Sequence, residues 1–371
     1  MAVIKKAVAT AMAIFMAIYG FIGMTDNVSD DYTEGKYKNV ILMIGDGMGF
    51  NTIGATKAQR GVSMTMETMP VQAQSQIWSY GITATDSAAG GTALSTGVRV
   101  WINSVGLFPF DPFTINDFNV PINLCELAKR DGMAAGVVTT DKTSGATPSA
   151  FSAHALSRTM EKDISKDQLA SGLDLIWGGA SESINKENTA ANGYTYISTE
   201  TEMDALTAGS QSFAQFSFDD LKNCRNNHNT PTIREMTEKA IDILSADEDG
   251  FFLMVEGACI DKFSHDNNFE GATMCTEEFD KAVAAALEFA AEDGETLVVV
   301  TADHETGGIK QDKKTGEYYY TIDTHGIVDV PVFVSATDAG FKSGEKIKNR
   351  EIPVQIARVL GFEKSEFPAA K

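Results

Sequence analysis

The sequence predicts an α/β protein, a three-layer α/β/α sandwich around a large, mainly parallel central sheet. Three observations predict it: short apolar runs recur along the chain, helical periodicity fills the stretches between them, and several runs end abruptly in Asp, Glu or His. Near-continuous apolar strands suit a sheet covered on both faces, and strands alternating with helices imply parallel pairing through crossover connections. Ligands of such sheets gather at the carboxyl ends of the strands, so the polar residues that close each run are where chemistry is expected.

In chain order, the first run is Asn39 to Ile44, followed by Asp46 between two glycines, which permits a tight turn and close approach to a cation. The second, Gln74 to Tyr80, precedes TATDSAAGGTALSTG at 83–97, where Asp86 caps a helix that begins at Ser87. Helical periodicity over Ile122 to Arg130 is followed by a strand over Ala135 to Thr140 and another over Leu173 to Trp177. A helix is expected over Thr232 to Leu244, a strand over Phe251 to Val255 that ends in Glu256, and a helix over Thr276 to Glu292. The strand Thr296 to Thr301 leads into Asp303 and His304. His325 stands just before the strand Val330 to Ser335, and Glu351 to Leu360 forms the last helix. Residues 178–231, rich in Ser, Thr and Asn, read as a peripheral excursion of one domain spanning 39–371.

The first 24 residues read as an address. Lys5 and Lys6 precede an apolar run from Ala7 to Met24, the pattern of an export signal, and the run is just long enough for an uncleaved N-terminal membrane anchor. An acidic, polar linker over 25–38 follows. Periplasmic, cell-envelope or secreted placement is expected, in an oxidising compartment.

A chain of 371 residues with 43% hydrophobic content can bury a large core. Its formal charge of −21 argues against nucleic acid as a partner, because neutralising phosphates needs clustered Lys and Arg. An anionic substrate would then have to be drawn by bound metal cations. Four cysteines are too few for a disulfide scaffold. Cys125, inside the amphipathic INLCELAKR, reads as a buried filler, while Cys224 and Cys275 lie in polar segments open to bridging.

The chemistry falls at the strand ends. A serine at a helix N-terminus meets unpaired N–H groups and the positive end of the helix dipole, which favour an incoming phosphate. Asp261 and His265, five and nine residues after Glu256, are spaced to share one face of a helical turn and chelate zinc. Asp303 and His304 end so apolar a run that a charge there demands pairing or a metal. Three of the five histidines lie in these segments beside carboxylates.

With these motifs in order, the chain resembles the alkaline phosphatases from Asn39 to Leu360. The resemblance implies a nucleophile at Ser87 in TDSA, which attacks a phosphomonoester and passes through a phosphoserine. It implies one zinc ion on Asp261, His265 and His325, and a second on Asp46, Asp303 and His304 with Ser87 completing the shell. It also implies magnesium on Asp46, Thr147 and Glu256, phosphate binding by Arg158 in HALSR, and a water-mediated phosphate contact from Lys262. Small phosphomonoester substrates, a homodimer and a disulfide between Cys224 and Cys275 follow from the same resemblance. The roles agree with the chemistry: a cation activates a weak serine hydroxyl, and a guanidinium offers the paired donors that an ammonium lacks.

The chain departs from the family in two places. Gly145 stands where the family usually has Asp or His, two residues before the magnesium-site threonine. Looser magnesium binding and a Lys262 without its restraining partner are therefore expected, with Gly145→Asp as the gain test. Only twenty residues separate His304 from His325, so the crown that overhangs the site in larger members is reduced to a hairpin at about 308–324. A sulfatase reading fails because no cysteine opens a C-x-P-x-R segment. A diesterase of related fold would usually carry threonine as nucleophile. A metal-binding protein without catalysis would leave Ser87 and Arg158 idle.

Overall fold

The computed structural model describes residues 35–107, 120–224 and 229–368. The expected leader at 1–24 and most of the linker lie outside these. Gly35 and Tyr37, at the linker's end, already hydrogen-bond to the carbonyls of Arg358 and Val359.

Twelve strands are formed among the described residues: β1 (Asn39–Ile44), β2 (Val71–Gln76), β3 (Ala134–Lys142), β4 (Leu175–Gly179), β5 (Thr195–Ile197), β6 (Ser212–Phe216), β7 (Phe251–Glu256), β8 (Thr296–Thr301), β9 (Lys310–Gln311), β10 (Tyr318–Tyr319), β11 (Val330–Val334) and β12 (Lys346–Lys348). The helices are α1 (Phe50–Arg60), α2 (Ser87–Thr96), α3 (Leu124–Arg130), α4 (Ala146–Ser152), α5 (Glu161–Ala170), α6 (Lys186–Ala191), α7 (Glu200–Asp204), α8 (Phe218–Lys222), α9 (Ile233–Leu244), α10 (Cys259–His265), α11 (Phe269–Asp293) and α12 (Glu351–Val359). Ten strands make one sheet in the order β12-β2-β11-β8-β1-β7-β3-β4-β6-β5, and β9 and β10 form a separate hairpin.

Alternation along β1 explains the three layers. Ile41 and Met43 point into one core with side chains of α1, α9 and α11, whereas Val40, Leu42 and Ile44 point into a second with side chains of α2, α3, α4 and α12. All six residues of β1, β7 and β8 are buried, as a strand covered on both faces requires. Each large apolar side chain withdrawn from water contributes about 1.5–3 kcal/mol before the entropy of ordering is charged against it.

Several boundaries differ from expectation. The second strand is Val71–Gln76 rather than Gln74 to Tyr80, because VQAQSQ alternates buried and exposed residues near the sheet edge instead of forming an apolar run. Beyond it the chain turns back at Gly81, with a bridge between Ser79 and Ile82. The helix expected from Thr276 begins at Phe269, where the Asn268 side chain accepts from the Gly271 N–H at 3.0 Å. The 178–231 stretch contributes β5 and β6, so it extends the main sheet as well as carrying short helices.

Strand direction delivers the polar residues to one rim. β1, β7, β8 and β3 are parallel. β11 runs antiparallel to β8, with Val332 opposite Thr301. The start of β11, and His325 before it, therefore meets the same rim as the end of β8. β2 is antiparallel to β11, so its carboxyl end faces that rim too and leads to α2.

Candidate active site

Asp46 follows β1, Glu256 ends β7, Asp261 and His265 lie on α10, and Asp303 and His304 follow β8. Gly47 lets these segments approach. Its φ is +73°, and a Cβ there would stand 2.8 Å from Thr306 Oγ1 and 3.0 Å from the Asp261 Cα.

Two groups of possible metal ligands result, Asp261, His265 and His325, and Asp46, Asp303 and His304, each with its ligand atoms within 4.8 Å of one another. The first residue of α2 faces the second group: Ser87 Oγ is 3.2 Å from His304 Nε2, and Ser87 is only 3% exposed. The serine thus lies well within the roughly 6 Å reach that a shared cation requires. The His304 and His325 rings stack with centroids 3.7 Å apart, joining the two groups.

Hydrogen bonds set the histidine tautomers. His265 Nδ1 is 2.6 Å from the Asp323 carbonyl oxygen and His325 Nδ1 is 2.9 Å from that of Thr85. A carbonyl only accepts, so each Nδ1 carries the proton and each Nε2 offers a lone pair. These two Nε2 atoms face each other at 3.1 Å, an arrangement that repels unless a cation lies between them. Thr306 Oγ1 donates to Asp261 and accepts from His304 Nδ1 at 3.2 Å, which leaves His304 Nε2 unprotonated as well. That nitrogen lies 3.4 Å from Asp46 Oδ1 and 3.3 Å from Asp303 Oδ2, and both oxygens are buried without a hydrogen-bond partner. Imidazole nitrogens and carboxylates suit zinc, and the orphaned atoms fit bound cations.

A second arrangement is all oxygen. Thr139, opposite Glu256 in the sheet register, donates a short hydrogen bond to the Glu256 carboxylate. Thr147 Oγ1, on α4, is buried and makes no hydrogen bond of normal geometry. Hard oxygen donors of this kind suit magnesium.

The electrostatics agree. Burial, then the charges of Asp303, Asp261 and Glu256, pushes the Asp46 carboxyl well above the usual range. Burial and then Asp261 raise Asp303 to about 7, while burial and then Asp141 raise Glu256 to about 8. Burial and then the neighbouring His325 hold His304 neutral. Carboxylates crowded in this way hold protons until a cation replaces them.

Arg158 stands at the mouth. Its Nη1 donates to Asp86 Oδ2 at 3.3 Å, and Asp86 also accepts from the Ala89 N–H at 3.0 Å, so one carboxylate fixes both the guanidinium and the start of α2. Burial opposes the Arg158 charge, but Asp86 and Asp46 outweigh it and the pKa rises. Lys262 corrects an expectation. It does not lack a partner, because its Nζ is 3.0 Å from Asp141 Oδ1. Cys224 and Cys275 face each other as free thiols with sulfurs 3.4 Å apart.

Sequence reasoning missed Thr85, Asp323, Thr306, Thr139 and Asp141. The first two act through backbone carbonyls and leave no side-chain signal. Asp141 closes the apolar run of β3, so the rule that found Asp46 and Glu256 applies to it equally.

The fold and site define an α/β protein in which a helix-start serine adjoins two groups of metal-binding side chains at one sheet rim. The alkaline phosphatase family matches residues 37–179 and 182–335. The chain is 33% identical to alkaline phosphatase 3 of Bacillus subtilis over 74% of its own length and 62% of the relative's, and 31% identical to Escherichia coli alkaline phosphatase over 76% and 72%. The chain thus spans less than two thirds of the length of the Bacillus relative. Among solved structures it is similar to the alkaline phosphatase of the Antarctic bacterium TAB5, with TM-score 0.75 and 28% identity over 90% of this chain and 100% of that one. A histidine-to-aspartate variant of that enzyme, with magnesium in its M3 site, gives TM-score 0.73 and 27% identity over the same shares. The chain belongs to the alkaline phosphatase family.

Proposed function

We propose that this protein hydrolyses phosphate monoesters in a metal-dependent reaction, releasing an alcohol and inorganic phosphate through a phosphoserine on Ser87. The observation that carries the reading is Ser87 Oγ, 3.2 Å from an unprotonated His304 Nε2, at a helix start beside two groups of metal-binding side chains.

Asp261, His265 and His325 would hold one zinc ion, Asp46, Asp303 and His304 with Ser87 a second, and Asp46, Thr147 and Glu256 a magnesium ion. Bound there, these cations would supply positive charge that lowers the serine pKa and stabilises the attacking and leaving oxygens. Ser87 Oγ attacks phosphorus in line, its proton passing to water, and the P–O bond to the alcohol breaks, the leaving oxygen taking a proton from water. Arg158 binds two phosphoryl oxygens through its paired N–H groups, and Asp86 keeps it aimed. The amides at the start of α2 add donors for the anion. Lys262 adds a positive charge beside the phosphate. Water then displaces Ser87 from phosphorus, so the two successive inversions retain configuration. The magnesium-bound relative supports the identity of the third ion.

The same reading includes export and a homodimer. No helix among the described residues is long and apolar enough to cross a membrane. Exposed Phe50, Ile327 and Val328 line one cleft, as a pairing surface would require.

Purified protein should hydrolyse p-nitrophenyl phosphate but not its bis ester, lose that activity on chelation, and regain it with zinc and magnesium. Ser87→Ala should keep its metal content and lose at least 10³-fold in kcat. Turnover of the bis ester at a comparable rate, or a fully active alanine variant, would refute the proposal.

A further inference from the structure

Gly145 has φ −57° and ψ 160°, a conformation open to any residue, so backbone strain does not explain the glycine. Space does. A Cβ at 145 would stand 2.4 Å from Asp141 Oδ2 and 3.0 Å from the Lys142 carbonyl oxygen. The room that a side chain at 145 would fill is already taken by a carboxylate that arrives from the end of β3.

That carboxylate is held firmly. The Asp141 N–H donates to Thr139 Oγ1 at 2.8 Å, and Thr139 in turn donates to Glu256. Asp141 Oδ1 accepts from the Lys142 N–H at 2.8 Å and lies 3.0 Å from Lys262 Nζ, while Oδ2 is turned toward Gly145. The Asp141 side chain is 13% exposed. Among the described residues Asp141 belongs to neither close group of possible metal ligands, but its charge acts on Glu256, the Glu256 charge acts on Asp46, and Lys262 is the neighbouring cation. A hard divalent cation beside the unpartnered Thr147 hydroxyl would relieve that excess of negative oxygen.

We propose that Asp141 is a positioning residue with two tasks: it restrains the Lys262 ammonium, and it stands as an outer, supporting carboxylate beside the magnesium site formed by Asp46, Thr147 and Glu256. The inference rests on the proposed phosphatase reading and deepens it. It also revises the expectation for Gly145. Magnesium binding needs no acid at 145, and Gly145→Asp alone would force a second carboxylate against Asp141 rather than fill a gap.

The test is calorimetric titration of zinc-loaded protein with magnesium, paired with inhibition by inorganic phosphate at saturating magnesium. Asp141→Asn should weaken magnesium binding about 10- to 100-fold, as loss of a supporting group at a metal site does. It should also tighten phosphate inhibition at least about threefold by releasing Lys262, a change absent when Lys262 is already alanine. The exchange variant Asp141→Gly with Gly145→Asp should recover magnesium affinity, which separates loss of a carboxylate from general damage. Magnesium binding within twofold of wild type in Asp141→Asn overturns the inference, as does a loss that the exchange variant fails to recover. Wild-type protein that binds no magnesium sinks the cation site itself, and this inference with it. Tight wild-type binding with an indifferent Asp141→Asn variant sinks only the role of Asp141.

Discussion

Glu256 allows the charge balance of the metal-free protein to be tested in isolation. Its carboxyl, buried at the end of β7, is raised from 4.5 to about 8, first by burial and then by Asp141. Between about pH 5 and pH 7.5 the folded metal-free chain holds a proton on Glu256 that the unfolded chain has lost. Folding therefore takes up a proton, and stability falls as pH rises across that window. One bound proton is worth about 1.4 kcal/mol per pH unit, so Glu256 alone should cost about 3 kcal/mol between pH 5 and pH 7. Asp303, raised to about 7, works in the same direction, whereas His304, held neutral, opposes both below pH 6.5. The single contribution is isolated by comparing wild type with Glu256→Gln, urea unfolding of each being followed by tryptophan fluorescence in excess chelator. The wild-type stability should fall relative to the variant by about 1.4 kcal/mol per pH unit from pH 5 to pH 7. Adding magnesium at pH 7.5 should remove the deficit in wild type and leave the variant unchanged. Parallel stability profiles for the two proteins would refute the assignment of a protonated Glu256 in the metal-free site.

Other residues give sharper readouts. Arg158→Lys keeps the charge but loses the planar pair of donors; at about 1.5–3 kcal/mol for a charged hydrogen bond, kcat/KM for p-nitrophenyl phosphate should fall about 10- to 100-fold. Unchanged zinc content in the variant would show that the loss lies in phosphate binding, and an unchanged kcat/KM would remove Arg158 from the phosphate site. Cys224 and Cys275 should close into a disulfide when treated with glutathione disulfide, each pair reducing one oxidant molecule and lowering the titratable thiol count by two. Closing that loop of about 50 residues should stabilise the fold by roughly 4 kcal/mol, while Cys275→Ser should show neither effect. A wild-type thiol count unmoved by the oxidant would refute it.

How far the sequence disclosed this structure depended on how each residue acts. β1, β7 and β8 were legible because strands buried on both faces must be apolar throughout, and that run is visible without any partner. β2 was misplaced because its VQAQSQ pattern signals one buried face, a weaker mark that the neighbouring apolar Ile77 and Trp78 overrode. β5 and β6 lie at the sheet's far edge in a polar stretch, where the pairing of β6 with β4 and of β5 with β6 comes from chain contacts too distant to read locally.

The rim of the sheet follows the same logic. Asp46, Glu256, Asp303 and His304 could be singled out because a polar residue after an apolar run costs free energy unless something compensates it, so the run itself flags the residue. The groups that orient them carry no such flag. The carbonyls of Thr85 and Asp323 decide which imidazole nitrogen is free, yet any residue at either position could supply a carbonyl. Asp141 differs in kind. It ends an apolar strand as visibly as Asp46 does, and Gly145, four residues further on, marks only where a side chain is missing. Steric occupancy reverses that emphasis: the glycine is the consequence of the Asp141 carboxylate rather than a defect beside it, and the two positions should be read as one choice about which backbone delivers the acid. A protein with a side chain at 145 and an acid at 141 would have to move one of them, so a variant carrying both should be less stable than either single arrangement.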